Sequence, residues 1–348
     1  TPVLLGGLNL LVVSLVLWYF PDRLARPRIF KAQFAGLLVA SVLAFAVAKP
    51  IILHGEQHKY KDKIVYEEQT RYQKIVVTQW KDDYWLFING STQFSTYDEE
   101  RYHEPLVHPL MGLIEERKDI LLLGGGDGLA AREILRYPDV KNLTLVDLDP
   151  AMTQLARKND IFLGINQGSL NDPRVRVVNQ DAYQFINNSG DLYDAIIVDL
   201  PDPKSVSLSL LYSLGFYKMV EKHLKPFGAM VTQSTSPLYS PEAFLCIKKT
   251  MEFAGFSTLP YQNSIPSMGQ WGWVLGVRQK AMPAQRLKQD LTALEFADIE
   301  TRFLNRDAMI SMVHFGKGLF EKEDIIEPNT QFDHNILKYY RQGSWDLY

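Results

Sequence analysis

Leu121-Leu122-Leu123-Gly124-Gly125-Gly126-Asp127-Gly128 decides the fold class. An apolar run of strand length passes straight into a glycine-rich loop that holds one carboxylate. Asp147 closes the next apolar run, and Asp199 and Asp202 follow the end of a later one. Outward from the loop, the runs Ile120–Leu123, Leu143–Val146, Val175–Val178, Ala195–Val198 and Ala229–Thr232 alternate with helix-like segments such as Ala130–Tyr137 and Leu211–His223. That alternation predicts βαβ units and a mainly parallel α/β sheet. Ligands of such sheets bind beyond the carboxyl ends of the strands. Asp127, Asp147, Asp181 and Asp199 all fall there. Each alone reads as well as a helix N-cap or turn acid. Four acids at four strand ends favour a binding site.

The loop itself narrows the ligand. Glycines let a backbone approach a ligand closely. Gly124–Gly128 does not have the Gly-x-Gly-x-x-Gly spacing of dinucleotide sites. Asp147 lies 23 positions after Gly124, where an acid takes ribose hydroxyls. A carboxylate among the loop amides repels a pyrophosphate and attracts an ammonium group. Asp127 therefore favours an adenosine ligand that bears a cation over a dinucleotide.

Composition sets outer bounds. The 348 residues suffice for one large or two medium domains. A net charge of −3 argues against nucleic acid as a partner. The single cysteine, Cys246, excludes an internal disulfide or a cysteine metal site. His103 and His108 are five apart rather than the four of a helical metal pair, and no metal is expected. Val3 to Phe20 carries no charge, and Phe34 to Ala48 is a second uncharged run, extended by Ile51-Ile52-Leu53. Two apolar runs of that size predict transmembrane helices over about 3–20 and 34–53. Arg23, Arg26, Arg28 and Lys31 lie on one side of the second run, and Lys49, Lys59, Lys61 and Lys63 on the other. Four basic residues on each side supply no charge asymmetry for orientation.

From Ile64 the pattern changes to short strands. Ile75-Val76-Val77 and Trp85-Leu86-Phe87-Ile88 flank Asp82-Asp83, and Asn89-Gly90 is a strong turn signal. The expected organisation is a transmembrane segment over 1–53, a small antiparallel β domain over 54–110, a catalytic domain over 111–281 and a helical appendage over 282–348.

The chain resembles the polyamine aminopropyltransferase (spermidine synthase) family, and its bacterial membrane-associated branch in particular. The residues that carry the likeness run from about Tyr72 to Arg278. They include Tyr72-Gln73-Lys74-Ile75, Asp98-Glu99-x-x-Tyr102-His103-Glu104, the Gly-Gly-Gly-Asp-Gly loop and Val146-Asp147-Leu148-Asp149. They continue with Asp172-Pro173-Arg174-Val175, Asp181-Ala182, Asp199-Leu200-Pro201-Asp202-Pro203, Leu211-Tyr212, Phe216-Tyr217 and Gly269-Gln270-Trp271-Gly272. The resemblance implies a Rossmann-like sheet of the class I methyltransferase type. It also implies aminopropyl transfer from decarboxylated S-adenosylmethionine to a diamine, putrescine first, releasing methylthioadenosine. On that reading Asp199 is the catalytic base. Gln73, Gly124, Gly126, Asp127, Asp147 and Asp181 hold the donor, and Tyr102, His103 and Asp202 surround the acceptor. No separate cofactor is needed.

Two departures touch the acceptor side. Lys204-Ser205-Val206-Ser207 replaces a Gly-Pro element, and Ser264-Ile265-Pro266-Ser267-Met268 lacks the tyrosine usual before Gly-x-Trp-Gly. Lys204 either faces water or admits an amine carrying an acidic group. Two alternatives stand beside aminopropyl transfer. One is a methyltransferase using intact S-adenosylmethionine, and the other a non-catalytic membrane polyamine sensor. Asp127 and the Asp199/Asp202 pair weigh against the first, and retention of every expected acid against the second. The resemblance further implies a homodimer or larger homo-oligomer. The apolar runs imply contact with membrane lipid and a multi-pass location in a bacterial inner membrane. The donor's cytosolic origin would place the catalytic domain in the cytoplasm.

Overall fold

The computed structural model describes residues 2–20, 29, 32, 34–43 and 55–347. The chain divides into two compact units, residues 1–65 with 78–80 and residues 66–77 with 81–348. In the first unit α1 (Pro2–Tyr19) is an apolar helix of 18 residues, and residues 34–43 are helical. The sequence predicts transmembrane helices here, and this expectation is corrected. Among the described residues no helix is long and apolar enough to cross a membrane. At about 1.5 Å per residue, α1 reaches roughly 27 Å, short of a hydrocarbon core of about 30 Å. The expected multi-pass membrane location falls with it. Apart from Ile29, the basic loop at 22–31 lies outside the described residues, as do residues 44–53 of the second apolar run.

A four-stranded sheet has the order β1-β2-β3-β4, formed by β1 (Lys63–Gln69), β2 (Lys74–Trp80), β3 (Asp83–Ile88) and β4 (Ser91–Ser95). β3 and β4 are antiparallel and meet at the expected Asn89-Gly90 turn. Both turn residues have positive φ, 51° and 82°, the requirement of a type I′ hairpin.

The main sheet has seven strands. These are β5 (Asp119–Gly124), β6 (Asn142–Asp147), β7 (Val175–Asn179), β8 (Tyr193–Asp199), β9 (Leu224–Gln233), β10 (Phe256–Ile265) and β11 (Gly269–Arg278). Their order is β10-β11-β9-β8-β5-β6-β7. β5 is parallel to β6 and β8, β6 to β7, and β8 to β9. β11 runs antiparallel to β9 and β10. Ile120–Leu123 and Ala195–Val198 are fully buried. Strands covered on both faces read as unbroken apolar runs, which is why the sequence announces them.

Helices α2 (Glu100–Leu113), α3 (Leu129–Leu135), α4 (Pro150–Lys158), α5 (Asp160–Asn166) and α6 (Ala182–Asn188) cover the first half of this sheet's sequence. The predicted helix over Leu211–His223 is broken. A short α7 (Val206–Leu210) precedes it, and α8 (Leu214–Lys222) starts only where the Ser213 side chain accepts the Phe216 N–H as N-cap. Then come α9 (Pro241–Phe253), α10 (Ala284–Thr292), α11 (Arg306–Met312) and α12 (Asn335–Arg341). The chain leaves β5 toward β6 and β7, then returns to β8 on β5's other side. That reversal opens a crevice between β5 and β8 at the carboxyl edge.

α2 carries Pro105 and Pro109 in its interior. Each proline lacks the N–H that would bond the carbonyl four residues earlier. The freed carbonyls are those of Arg101 and Pro105. Asn263 Nδ2 donates to the first at 2.8 Å, and Tyr261 Oη to the second at 2.9 Å. Two helix-breaking residues thus become two anchors of α2 on β10.

Candidate active site

Strand register assembles the acids. Gly124 stands opposite Asp199, and Asp147 opposite Asn179, so β8, β5, β6 and β7 end on one line. Gly124, at φ 86°, leaves no room for a side chain. A Cβ there would lie 1.9 Å from the Asp199 carbonyl oxygen. At Gly126 a Cβ would lie 2.5 Å from Asp147 Oδ2, the oxygen that accepts the Gly126 N–H at 3.1 Å. The glycines of the loop thus make room for the neighbouring strand ends as well as for any ligand.

Three acids meet around the loop. Asp127 Oδ1 accepts the Leu129 N–H at 2.8 Å, as a turn acid at the start of α3. Burial raises its pKa, and the nearby His103 opposes the rise. Asp147 Oδ1 accepts the Asp149 N–H at 2.8 Å. Burial pushes Asp147 up to about 6, against two backbone donors and helped by the charge of Asp127. Asp199 Oδ1 accepts the Tyr102 hydroxyl at 2.7 Å. Burial pushes Asp199 to about 6 as well, with His103 and Tyr102 opposing and Asp127 adding. Among the described residues none of the three forms an ion pair.

Asp202 lies three residues beyond Asp199, past the end of β8. Its Oδ2 accepts the Tyr340 hydroxyl at 2.9 Å, and Gln233 Nε2 stands 3.4 Å from Oδ1. Burial raises Asp202 too, with Lys204 opposing. Gln233 Nε2 also donates to the Leu200 carbonyl at 2.7 Å, and its Oε1 accepts Trp271 Nε1–H at 3.2 Å. Lys204 is exposed, and its Nζ donates to Ser91 Oγ at 2.9 Å, which sets it among solvent-facing groups.

The remaining sequence-predicted residues take distinct places. Asp181 is the N-cap of α6, accepting the Gln184 N–H at 2.9 Å, one strand beyond Asp147. Gln73 sits in the turn between β1 and β2. Its N–H donates to Thr70 Oγ1 at 2.9 Å, and that hydroxyl donates to Asp149 Oδ2 at 2.8 Å. Through Asp149 the turn is tied to Asp147. Tyr102 and His103 are buried side by side on α2, with rings 5.0 Å apart, and Tyr102 also rests 5.4 Å from Trp273.

A second cluster of charge holds α2 against α3. Glu99 accepts from His103 Nδ1 at 2.9 Å and from Arg132 Nη2 at 2.8 Å. Although burial opposes it, His103 and Arg132 bring Glu99 down to about 2. The same carboxylate outweighs burial at His103 and leaves the imidazole raised. Arg132 continues to Glu133, and Glu133 to His108. Glu104 is directed away from the site. It accepts the N–H groups of Arg302, Phe303 and Leu304 at 2.6, 2.9 and 2.7 Å. Asp98 likewise accepts the N–H and the hydroxyl of Ser267, both at 2.7 Å.

Gln233 and Thr235 were not singled out from sequence, and Tyr340 reads there only as part of an aromatic packing tail, Tyr339-Tyr340 to Trp345. Gln233-Ser234-Thr235-Ser236 is a polar run at the carboxyl end of β9, the place where ligands gather, and that rule would have found it. Ile336, Leu337 and Tyr340 share one buried face of α12. A buried tyrosine needs a partner for its hydroxyl, which is the signal Tyr340 offered.

Comparison with known proteins follows the same lines. The spermine/spermidine synthase domain matches residues 99–289, more than half of the chain. A polyamine aminopropyltransferase of Oceanobacillus iheyensis is 40% identical over 353 residues, covering 100% of this chain and 66% of that protein. A polyamine aminopropyltransferase of Streptomyces coelicolor is 41% identical over 326 residues, covering 90% of this chain and 59% of that protein. The chain therefore spans less than two thirds of the length of these curated relatives. Spermidine synthase from Thermotoga maritima superposes with a TM-score of 0.64 at 23% identity, over 76% of this chain and 88% of that one. A spermidine synthase in complex with the transition-state analogue AdoDATO superposes with a TM-score of 0.65, also at 23% identity. At that identity the structural likeness is one of fold.

Proposed function

The chain belongs to the spermine/spermidine synthase family, and from that premise we propose that it transfers an aminopropyl group from decarboxylated S-adenosylmethionine to a diamine. Putrescine is the diamine proposed, which makes spermidine and methylthioadenosine the products. The observation that carries the reading is the set of acids Asp127, Asp147, Asp199 and Asp202, raised by burial and without an ion pair among the described residues. Buried carboxylates are costly unless a cation completes them. Both substrates of this reaction are cations.

The chemistry assigns each residue a task. Asp127 pairs with the donor's terminal ammonium, which intact S-adenosylmethionine would accompany with a repelling carboxylate. Asp147 takes the ribose hydroxyls, while Asp181 and Gln73 complete the nucleoside end. The acceptor amine has an ordinary pKa near that of lysine, about 10.4, and only its neutral form attacks carbon. Asp199, raised to about 6, takes the proton more readily than an exposed aspartate. The amine nitrogen then bonds the carbon next to sulfur, and the C–S bond breaks with its electron pair going to sulfur. The positive charge passes from sulfonium to the new ammonium, within reach of Asp199 and Asp202. Tyr102 holds the Asp199 carboxylate through its hydroxyl, and His103 balances charge between Asp127 and Asp199.

One assay tests the reading. Purified protein is given each sulfonium donor with putrescine and other diamines, and the nucleoside product is identified. Methylthioadenosine formed only with the decarboxylated donor is the expected result. S-adenosylhomocysteine would make it a methyltransferase, and binding without turnover a sensor. Light scattering on the same sample reads the homodimer that the proposal includes.

A further inference from the structure

The last helix of the chain reaches the acid at the far side of the site. α12 buries Ile336, Leu337 and Tyr340, and the Tyr340 hydroxyl donates to Asp202 Oδ2 across 138 residues of sequence. The segment around it is held on both sides. Trp345 Nε1 donates to the Tyr340 carbonyl at 2.8 Å, and the two rings lie 4.5 Å apart. The Ser344 N–H donates to the Tyr239 carbonyl at 2.7 Å, and the Tyr239 ring lies 5.9 Å from that of Trp345. The phenol is therefore delivered to Asp202 by a fixed tail.

We propose that Tyr340 is a positioning residue that acts through Asp202 and sets the affinity for the acceptor diamine; this rests on the aminopropyl-transfer reading. Asp202 is 9% exposed and has no ion pair among the described residues. A carboxylate offers about four acceptor directions. Tyr340 occupies one on Oδ2 and fixes the plane of the group. Gln233 Nε2, 3.4 Å from Oδ1 and committed to the Leu200 carbonyl at 2.7 Å, leaves Oδ1 with capacity. Thr235 lies beside Asp202, fully buried at φ 57°, and its hydroxyl helps to stabilise that carboxylate while falling outside strict hydrogen-bond geometry. A fixed carboxylate with a buried hydroxyl beside it suits an alkylammonium, which has three N–H groups to place. In this scheme the donor side is built from β5, β6 and their loops, and the Tyr340 hydroxyl serves Asp202 on the acceptor side.

The test is Tyr340→Phe in the full chain, which keeps the ring against Trp345 and removes the hydroxyl. Putrescine binding is measured by calorimetry on protein saturated with methylthioadenosine, beside steady-state kinetics. The expected result is binding and KM for putrescine weakened about 10-fold, the scale of one hydrogen bond to a charged group. kcat and methylthioadenosine affinity stay within about two-fold, since the hydroxyl serves neither. In an Asp202→Asn background the same substitution changes putrescine binding no further. Unchanged putrescine binding overturns the proposal, as does equal weakening of nucleoside and diamine, or an effect that persists in full without Asp202. A parent that binds putrescine without transferring aminopropyl overturns the functional reading alone. A parent that binds no diamine overturns both.

Discussion

Glu104 on α2 is a buried acid and Asp199 at the end of β8 a half-buried one, and their surroundings are opposite. Glu104 receives three backbone N–H groups from residues 302–304. Glu99, five residues before it, sits between Arg132 and His103 and lies near pKa 2. Asp199 receives one phenol and is pushed to about 6. Asp127, Asp147 and Asp202 share that raised state. The acids of α2 are completed by the protein and hold its parts together. The acids at the strand ends are left incomplete, which is the basis of the proposal that a cationic ligand completes them.

Substitutions at the two regions should therefore differ in sign. The largest effect is expected at Asp199→Asn. Loss of the base lowers turnover by about 10²- to 10⁴-fold while nucleoside binding is kept. The same change should stabilise the unliganded protein at pH 7, by an amount on the order of 1–2 kcal/mol because the side chain keeps some exposure. The sign follows from the raised pKa. Between about 4 and 6 the folded protein holds a proton that the unfolded chain has released, so stability falls as pH rises through that window. Chemical denaturation at pH 5 and pH 7 reads both claims, and a destabilised Asp199→Asn at pH 7 would break the comparison. A further large effect is expected at Glu104→Ala, which strands three amide donors and should cost about 2–4 kcal/mol of stability. A Glu104→Ala protein with parental stability and lost turnover would place Glu104 among the site acids instead.

The contrast also explains what sequence could reveal. Ile120–Leu123 and Ala195–Val198 were readable as strands because both faces are buried and every residue is apolar. The strand-end acids were readable because parallel strands fix where a ligand binds. The need for glycine at 126 was only half readable, since the clash it avoids is with Asp147, 21 residues on. The link from Tyr340 to Asp202 spans 138 residues, and the anchors of Pro105 and Pro109 lie on β10. Glu104 sits beside His103 in one motif, yet faces residues 302–304. Neighbours in sequence on a helix point to different sides, and no local pattern names their partners. The apolar run at 3–20 was read by composition, which measures apolarity well and helix reach poorly.

The central claim, that the strand-end acids wait for cations, is tested most directly at Asp127. Binding of decarboxylated and intact S-adenosylmethionine is measured by calorimetry for the parent and for Asp127→Asn. The account predicts that the parent prefers the decarboxylated donor and that Asp127→Asn weakens it about 10-fold, the scale of one charge-assisted contact. Intact S-adenosylmethionine should lose less. Equal loss for both donors, or no loss for either, would contradict it.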